Sequence, residues 1–245
     1  TVRKGLWVDG CFVQPSIRLA NWYAQKVTGI LVGDRSVWYL DAVQRFIAPE
    51  DFYLRMVELV ANRIHWGSSF DFKSHNPKEP IISTAPLPIV LDALGGPGAY
   101  RLSRASIRVE RFRIPDADLH QTIYFPELIL PIYRASITGS LLICEYSGAQ
   151  ENPSSMEAVR TAFGLGAASL EKLDSVSQKY GKIIPLPAAE RRALLHKLTV
   201  QHGIFSLGRF ATWRNILLDD VVQDIDVLRR LIRASSYERS LFAAT

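Results

Sequence analysis

The chain has 245 residues, 48% of them hydrophobic and 22% charged, a composition that builds a folded core and excludes an intrinsically disordered chain. Its net charge of +5 fits anionic partners, or simply a solvated basic surface, and no block of five or more basic residues forms a nucleic-acid-binding tail. Two cysteines, Cys11 and Cys144, sit in apolar surroundings without CxxC spacing, which excludes a disulfide framework and a structural zinc site; no apolar run approaches the roughly 20 residues of a spanning helix, and a cytoplasmic protein with no membrane partner is expected.

From the N-terminus, Val2 to Val13 predicts two short strands around the Asp9-Gly10 turn. Pro15 to Gly29 predicts a helix: Pro15 suits its start and Gly29 its C-cap, while Ile17, Ala20, Ala24 and Val27 share one face. Gly33 to Ser36 reads as a turn and Val37 to Leu40 as a short strand or turn. Ala48-Pro49-Glu50-Asp51 opens a second helix, with Phe52, Met56, Leu59 and Val60 at helical spacing and an end near Trp66-Gly67. Ser68 to Glu79 is a polar surface loop. Pro80 to Pro86 reads as a buried strand that ends in small hydroxyl residues, and Leu87 to Leu94 as a short helix. Strand ends of that kind are where α/β folds place ligands.

Ser106 to Ile114 alternates apolar and charged residues with one slip at Glu110-Arg111, where a bulge is expected. Asp118 to Phe125, Tyr133 to Ile137 and Ser140 to Tyr146 complete an antiparallel sheet. Asn152 to Leu173 reads as mainly helical. Within it, Gly164-Leu165-Gly166 follows a helix rather than a strand, the wrong context for a phosphate cradle. Pro187 to His202 is a helix closed by Gly203, and Asp219 to Ser235 is the last helix, with Val221, Val222, Ile225, Leu228, Leu231 and Ile232 as its apolar face. The whole is an α/β chain with α+β character.

No GxSxG or GxxxxGK occurs, and His65, His75, His120, His196 and His202 show no metal spacing, so hydrolase, NTPase and metal readings lose their support and no metal is expected. The chemistry points to Ile204 through Asp220. A strand that stops at Gly208, a loop, and an acid-started helix can hold a phosphate or an anionic ring at a helix N-terminus. Arg209 either grips a diphosphate or carboxylate with its fork, or pairs with Asp219 or Asp220. Asp219 is either part of that site or an N-cap, and Trp213 either stacks on a ring or fills the core. Tyr133-Arg134 either faces a substrate or decorates an exposed strand.

The spacing Gly208-Arg209-x-x-x-Trp213-Arg214-x-x-x-x-Asp219 resembles the C-terminal flavin-contacting segment of the UDP-galactopyranose mutase and amine-oxidase-like flavoproteins. Ile82-Ser83-Thr84-Ala85-Pro86-Leu87-Pro88 resembles their strand-turn near the cofactor, and Leu130 to Ser136 their segment on the substrate sheet, in the same chain order. The stretch from Arg18 through Lys26 and Arg35 to Pro49 resembles phage-encoded members of the group. The resemblance implies an FAD/NAD(P)-binding Rossmann-like fold with an antiparallel substrate-domain sheet. Residues 1–100 would be the remainder of the cofactor-binding domain with a helical insertion, 101–200 the substrate domain, and 201–245 the return to the cofactor-binding domain. The GxGxxG unit with which such proteins begin is absent from these residues, so the N-terminal βαβ unit is expected to be missing. The implied cofactor is FAD, bound by Gly208, Arg209, Trp213, Asp219, Asp220 and Thr84, with Tyr133 and Arg134 toward the substrate. The implied activity is a flavin-dependent, amine-oxidase-like oxidation of a small-molecule or nucleotide-linked substrate, including a modified DNA base. A nucleotide-sugar mutase, and a non-catalytic protein that binds nucleotides or nucleic acid on the same scaffold, are the alternatives.

Overall fold

The computed structural model of the protein describes residues 2–29, 48–95, 102–115, 117–148, 153–166 and 170–234. The turn expected at Gly33 to Ser36 and the short strand or turn at Val37 to Leu40 lie outside these residues. In chain order the elements are β1 (Arg3–Val8), β2 (Cys11–Val13), α1 (Ile17–Thr28), α2 (Phe52–Glu58), β3 (Ile81–Ser83), α3 (Leu87–Ala93), β4 (Arg104–Arg113), β5 (Leu119–Tyr124), β6 (Ile132–Gly139), β7 (Leu141–Ser147), α4 (Pro153–Phe163), β8 (Glu171–Ile183), α5 (Ala188–His202), β9 (Ile204–Ser206) and α6 (Leu218–Arg233). They divide into two compact units, residues 1–62 with 104–182, and residues 63–103 with 183–245.

The first unit is a seven-stranded sheet in the order β2-β1-β5-β6-β7-β4-β8. β1 runs parallel to β5, whereas β1–β2, β5–β6, β6–β7 and β4–β7 pair antiparallel. Alternation along the strands sends side chains to two faces. One face carries Trp7, Phe112, Ile123, Phe125, Ile137, Leu142 and Tyr146, which cluster with Val159 and Ala162 of α4. The other carries Leu6, Ile107, Tyr124 and Tyr133 against Ala20, Tyr23 and Val27 of α1. α1 starts where the Leu19 N–H donates to Ser16 Oγ and ends at Gly29. Its Tyr23 ring meets Tyr124 and Tyr133 edge-on, at 5.5 and 6.0 Å between centroids, a preferred aromatic geometry.

Three expectations change in this unit. Strand β4 pairs with β7 in continuous register from Ile107 to Arg113, without a bulge at Glu110-Arg111. The slip arises because each face of the strand changes polarity along its length. Arg108 and Glu110 share a face with Phe112, and both are buried because they pair with each other at 2.8 Å while Lys172 reaches Glu110. Burial alone would raise the Glu110 carboxyl; the Lys172 ammonium, the Tyr146 hydroxyl and Arg108 together hold it below its ordinary value. Next, the helix expected to run to Leu173 stops at Phe163, because Gly164 takes a left-handed φ of 67° that glycine adopts without strain. The chain re-enters the sheet as β8, a 13-residue strand on its edge. Gly181 is what lets β8 lie against β4, since a Cβ there would strike the Ile107 side chain. Finally, α2 forms with the expected spacing but ends at Glu58, and Phe52, Tyr53, Leu54 and Met56 stay exposed.

Lys26, in the last turn of α1, donates from Nζ to the Phe125 carbonyl at 2.6 Å. Burial lowers its pKa to about 7, with Glu127 opposing the shift. A folded-state pKa below that of the unfolded chain means that protonated Lys26 opposes folding fully below pH 7, and that this penalty fades as pH rises toward the ordinary lysine value. Lys26→Met should therefore remove a rise in stability of about 3.5 kcal/mol between pH 7 and pH 10. Urea unfolding of both proteins across that range measures it, and parallel pH slopes would show that Lys26 titrates normally.

In the second unit β3 and β9 form a parallel pair, with Ile81 opposite Ile204 and Ser83 opposite Ser206. Phe205 of β9 packs on Leu228 and Leu231 of α6. α5 runs into β9 through Gly203, and the Ile81 N–H donates to the Gly203 carbonyl at 3.0 Å, so the strand pair begins where the helix ends.

Candidate functional site

The parallel pairing of β3 and β9 brings both carboxyl ends to the same side, and the chain beyond each end is fixed by its own hydrogen bonds. The Leu207 N–H donates to the Ser83 carbonyl at 3.0 Å, and Ser83 Oγ accepts from the Ala85 N–H at 3.3 Å. Gly208 then turns the chain at φ 87°, a left-handed conformation that accounts for glycine here; a Cβ would meet no atom within 4 Å. Residues 209–212 make one tight turn. The Thr212 N–H and hydroxyl both donate to the Gly208 carbonyl, at 3.0 and 2.8 Å, and the Arg214 N–H reaches back to the Arg209 carbonyl at 3.1 Å. Trp213 closes the turn at φ 52°, an uncommon conformation for a bulky residue. It is held there by complete burial and by its indole N–H, which donates to the Ile184 carbonyl at 3.0 Å. The Phe210 carbonyl accepts from the Leu87 N–H, tying the turn to the start of α3.

A cavity of about 510 Å³ opens at these strand ends. Thr84, Gly208 and Arg209 line it together with an apolar wall that includes Leu207, Ile216, Leu217 and Val221. Its volume lies within the usual range of small-molecule sites, roughly 300–1,000 Å³, and a mostly apolar lining with few polar groups is the common pattern of such sites. Arg209 is half-buried. Its Nη2 donates to Asn215 Oδ1 at 3.2 Å, and its guanidinium lies 5.7 Å from the Phe210 ring centroid.

Three of the residues singled out by sequence, Thr84, Gly208 and Arg209, thus share one cavity. Trp213 fills the core beneath the turn. Asp219 is exposed in the first turn of α6. The N-cap of that helix is Leu217, and Asp220, three residues on, reaches back so that its carboxylate accepts from the Leu217 N–H at 2.8 Å and satisfies a donor at the helix start. Sequence reasoning does not mark the apolar wall. Its signal is the triplet Ile216-Leu217-Leu218 directly before the acids, where a helix start more often carries Ser, Thr, Asp or Asn.

Tyr133 and Arg134 belong to the first unit. A bulge falls in β6 between Ile132 and Arg134, and with it two consecutive residues reach one acceptor on β7. The Tyr133 hydroxyl donates to Glu145 Oε1 at 3.2 Å, and Arg134 grips both Glu145 oxygens, with Nη2 on Oε1 at 2.7 Å. Burial, then the nearby Glu145 charge, raises the Tyr133 phenol far above its ordinary pKa. Burial works against the Arg134 charge, but the bonds to Glu145 outweigh it and the guanidinium is more firmly protonated than usual. This three-residue network gives both residue types a structural role.

No group of three or more His, Cys, Asp or Glu side chains arranged to hold a metal ion occurs among the described residues, and no described helix is long and apolar enough to cross a membrane. No family model matches the sequence, and no curated protein matches it significantly. Among solved structures, the chain is similar to reduced UDP-galactopyranose mutase at 21% sequence identity and a TM-score of 0.38. The match covers 60% of this chain and 37% of that one, so the chain spans well under half the length of the structure it matches.

Proposed function

We propose that the cavity at the ends of β3 and β9 binds the ring end of FAD, that the second unit is a Rossmann-like cofactor unit, and that the protein is a flavin-dependent oxidoreductase. The observation that carries the reading is the convergence of Thr84, Gly208 and Arg209 on one largely apolar cavity at the carboxyl ends of two parallel strands. The residues present suit a planar, partly anionic ring. Leu207, Ile216, Leu217 and Val221 offer an apolar surface, Gly208 leaves open space above its backbone, and Arg209 brings a cation. Asp220 organises the start of α6, whose N–H groups favour negative charge. A bound flavin supplies two-electron redox chemistry; the chain's part is to seat the ring and set the charge around it.

Purified protein should carry, or take up on addition of FAD, a visible flavin absorption band. Arg209→Ala should weaken FAD retention about tenfold, the effect of one lost charge-assisted contact. A colourless protein that takes up no added FAD overturns the proposal, and unchanged retention in Arg209→Ala removes that residue from the site. The substrate proposed is a small or nucleotide-linked molecule. Oxygen uptake with amines, against isomerisation of a UDP-sugar, separates oxidase from mutase.

A further inference from the structure

Three arginines gather in a second cavity of the same unit. It measures about 230 Å³, and Arg191 and Arg192 from the first turns of α5 line it together with Arg214, Asp224 and Thr212. Three guanidinium groups thus face one carboxylate, and that carboxylate is already engaged: Asp224 Oδ2 accepts from Arg214 Nη2. Arg214 Nε also donates to Thr212 Oγ1 at 3.3 Å. Thr212 is buried and spends its own hydroxyl proton on the Gly208 carbonyl. Arg214 is therefore held by a carboxylate and a hydroxyl, and the cavity keeps a surplus of two positive charges.

That surplus has a cost within the unit. The Arg191 guanidinium is held below its ordinary pKa, by burial first and then by the like charges of Arg214 and Arg192, with Asp224 only partly offsetting them. Like charges collected around a partly enclosed space raise the energy of the fold unless an anion joins them. Fixed guanidinium forks match the oxygens of phosphate in both charge and geometry. The volume admits a phosphate or diphosphate group, and it is smaller than sites that enclose a whole drug-sized ligand.

We propose that the cavity formed by Arg191, Arg192 and Arg214 is a phosphate-class oxyanion site that takes a diphosphate, either free or as the end of a nucleotide. None of its lining residues lines the cavity assigned to flavin, so it goes beyond the flavin reading and can fail without it.

Titration calorimetry of the full chain with inorganic pyrophosphate at fixed ionic strength tests the proposal. Saturable one-site binding is expected, weakened about tenfold or more in Arg192→Gln and again in Arg191→Gln. Arg192 is exposed on its helix, so that substitution leaves the fold intact, which far-UV circular dichroism checks. Arg229→Gln is the control for general basicity: Arg229 is 70% exposed on α6 and does not line the cavity, and its loss should leave affinity unchanged. A parallel titration with ADP separates the two sources, with tighter ADP binding assigning the site to a nucleotide and equal or weaker binding to free diphosphate. No saturable binding up to about 10 mM pyrophosphate, a limit of about −2.7 kcal/mol, overturns the proposal. So does binding that survives in the Arg191→Gln/Arg192→Gln double variant, or a loss just as large in Arg229→Gln.

Discussion

Replacing Trp213 with alanine is expected to lower the unfolding free energy by about 4 kcal/mol, the usual cost of emptying a fully buried tryptophan site. The indole is wholly enclosed and its N–H is bonded to the Ile184 carbonyl. The truncation therefore leaves both a void and an unsatisfied carbonyl. Two companion variants divide the loss. Trp213→Phe keeps most of the packing but gives up the hydrogen bond, and should lose roughly 1–2 kcal/mol. Trp213→Gly removes the side chain yet relieves the left-handed backbone at φ 52°, and should be more stable than alanine by about 1 kcal/mol. Denaturant unfolding measures all three. An alanine variant within about 1 kcal/mol of the parent would mean that the turn after Gly208 repacks without its tryptophan.

Arg134→Met is expected to cost about 3 kcal/mol, because it leaves the Glu145 carboxylate, only 12% exposed at its side chain, without its main cation. The informative comparison is the double variant Arg134→Met/Glu145→Leu. Removing both charges and keeping apolar volume should recover most of the loss, since a buried ion pair gives little net stability over well-packed apolar residues. The residual deficit belongs to Tyr133, whose hydroxyl then lacks its acceptor on β7. If the double variant is as unstable as the sum of the single variants, Arg134 and Glu145 are not energetically coupled and the network is a geometric coincidence.

The elements readable from sequence are those with local signals. Asp9-Gly10 sets the first hairpin, Gly29 and Gly203 close α1 and α5, and the alternations around Thr138-Gly139 give β6 and β7. β8 is not readable. It lies on the sheet edge, and its Leu173 and Val176 are exposed, so no face of it needs to be apolar. The bulge expected at Glu110 does not form: a slip in polarity looks the same in sequence whether the strand shifts register or buries an ion pair. Residue chemistry marks Thr84, Gly208 and Arg209, which line one cavity. The apolar wall opposite them carries no such mark, since Ile216 and Leu217 read equally well as core. Arg191 and Arg192 are illegible for a related reason: on a helix with basic and apolar residues all around, they resemble an ordinary solvated face.

The parallel ladders have a consequence for the order in which the chain assembles. β1 must find β5, and β3 must find β9, each across roughly 120 residues of intervening chain, and closing loops of that length is entropically slow. The β5–β6–β7 meander needs only short turns and can form early. The ladder that shapes the cavity proposed for flavin cannot zip until Ile204 has been synthesised. A polypeptide stopped after β8 would carry Ile81 to Ser83 with no strand to receive it. The second unit is thus completed last, by the stretch that also supplies Gly208 and Arg209, and a shortened chain loses the ladder and these two residues together.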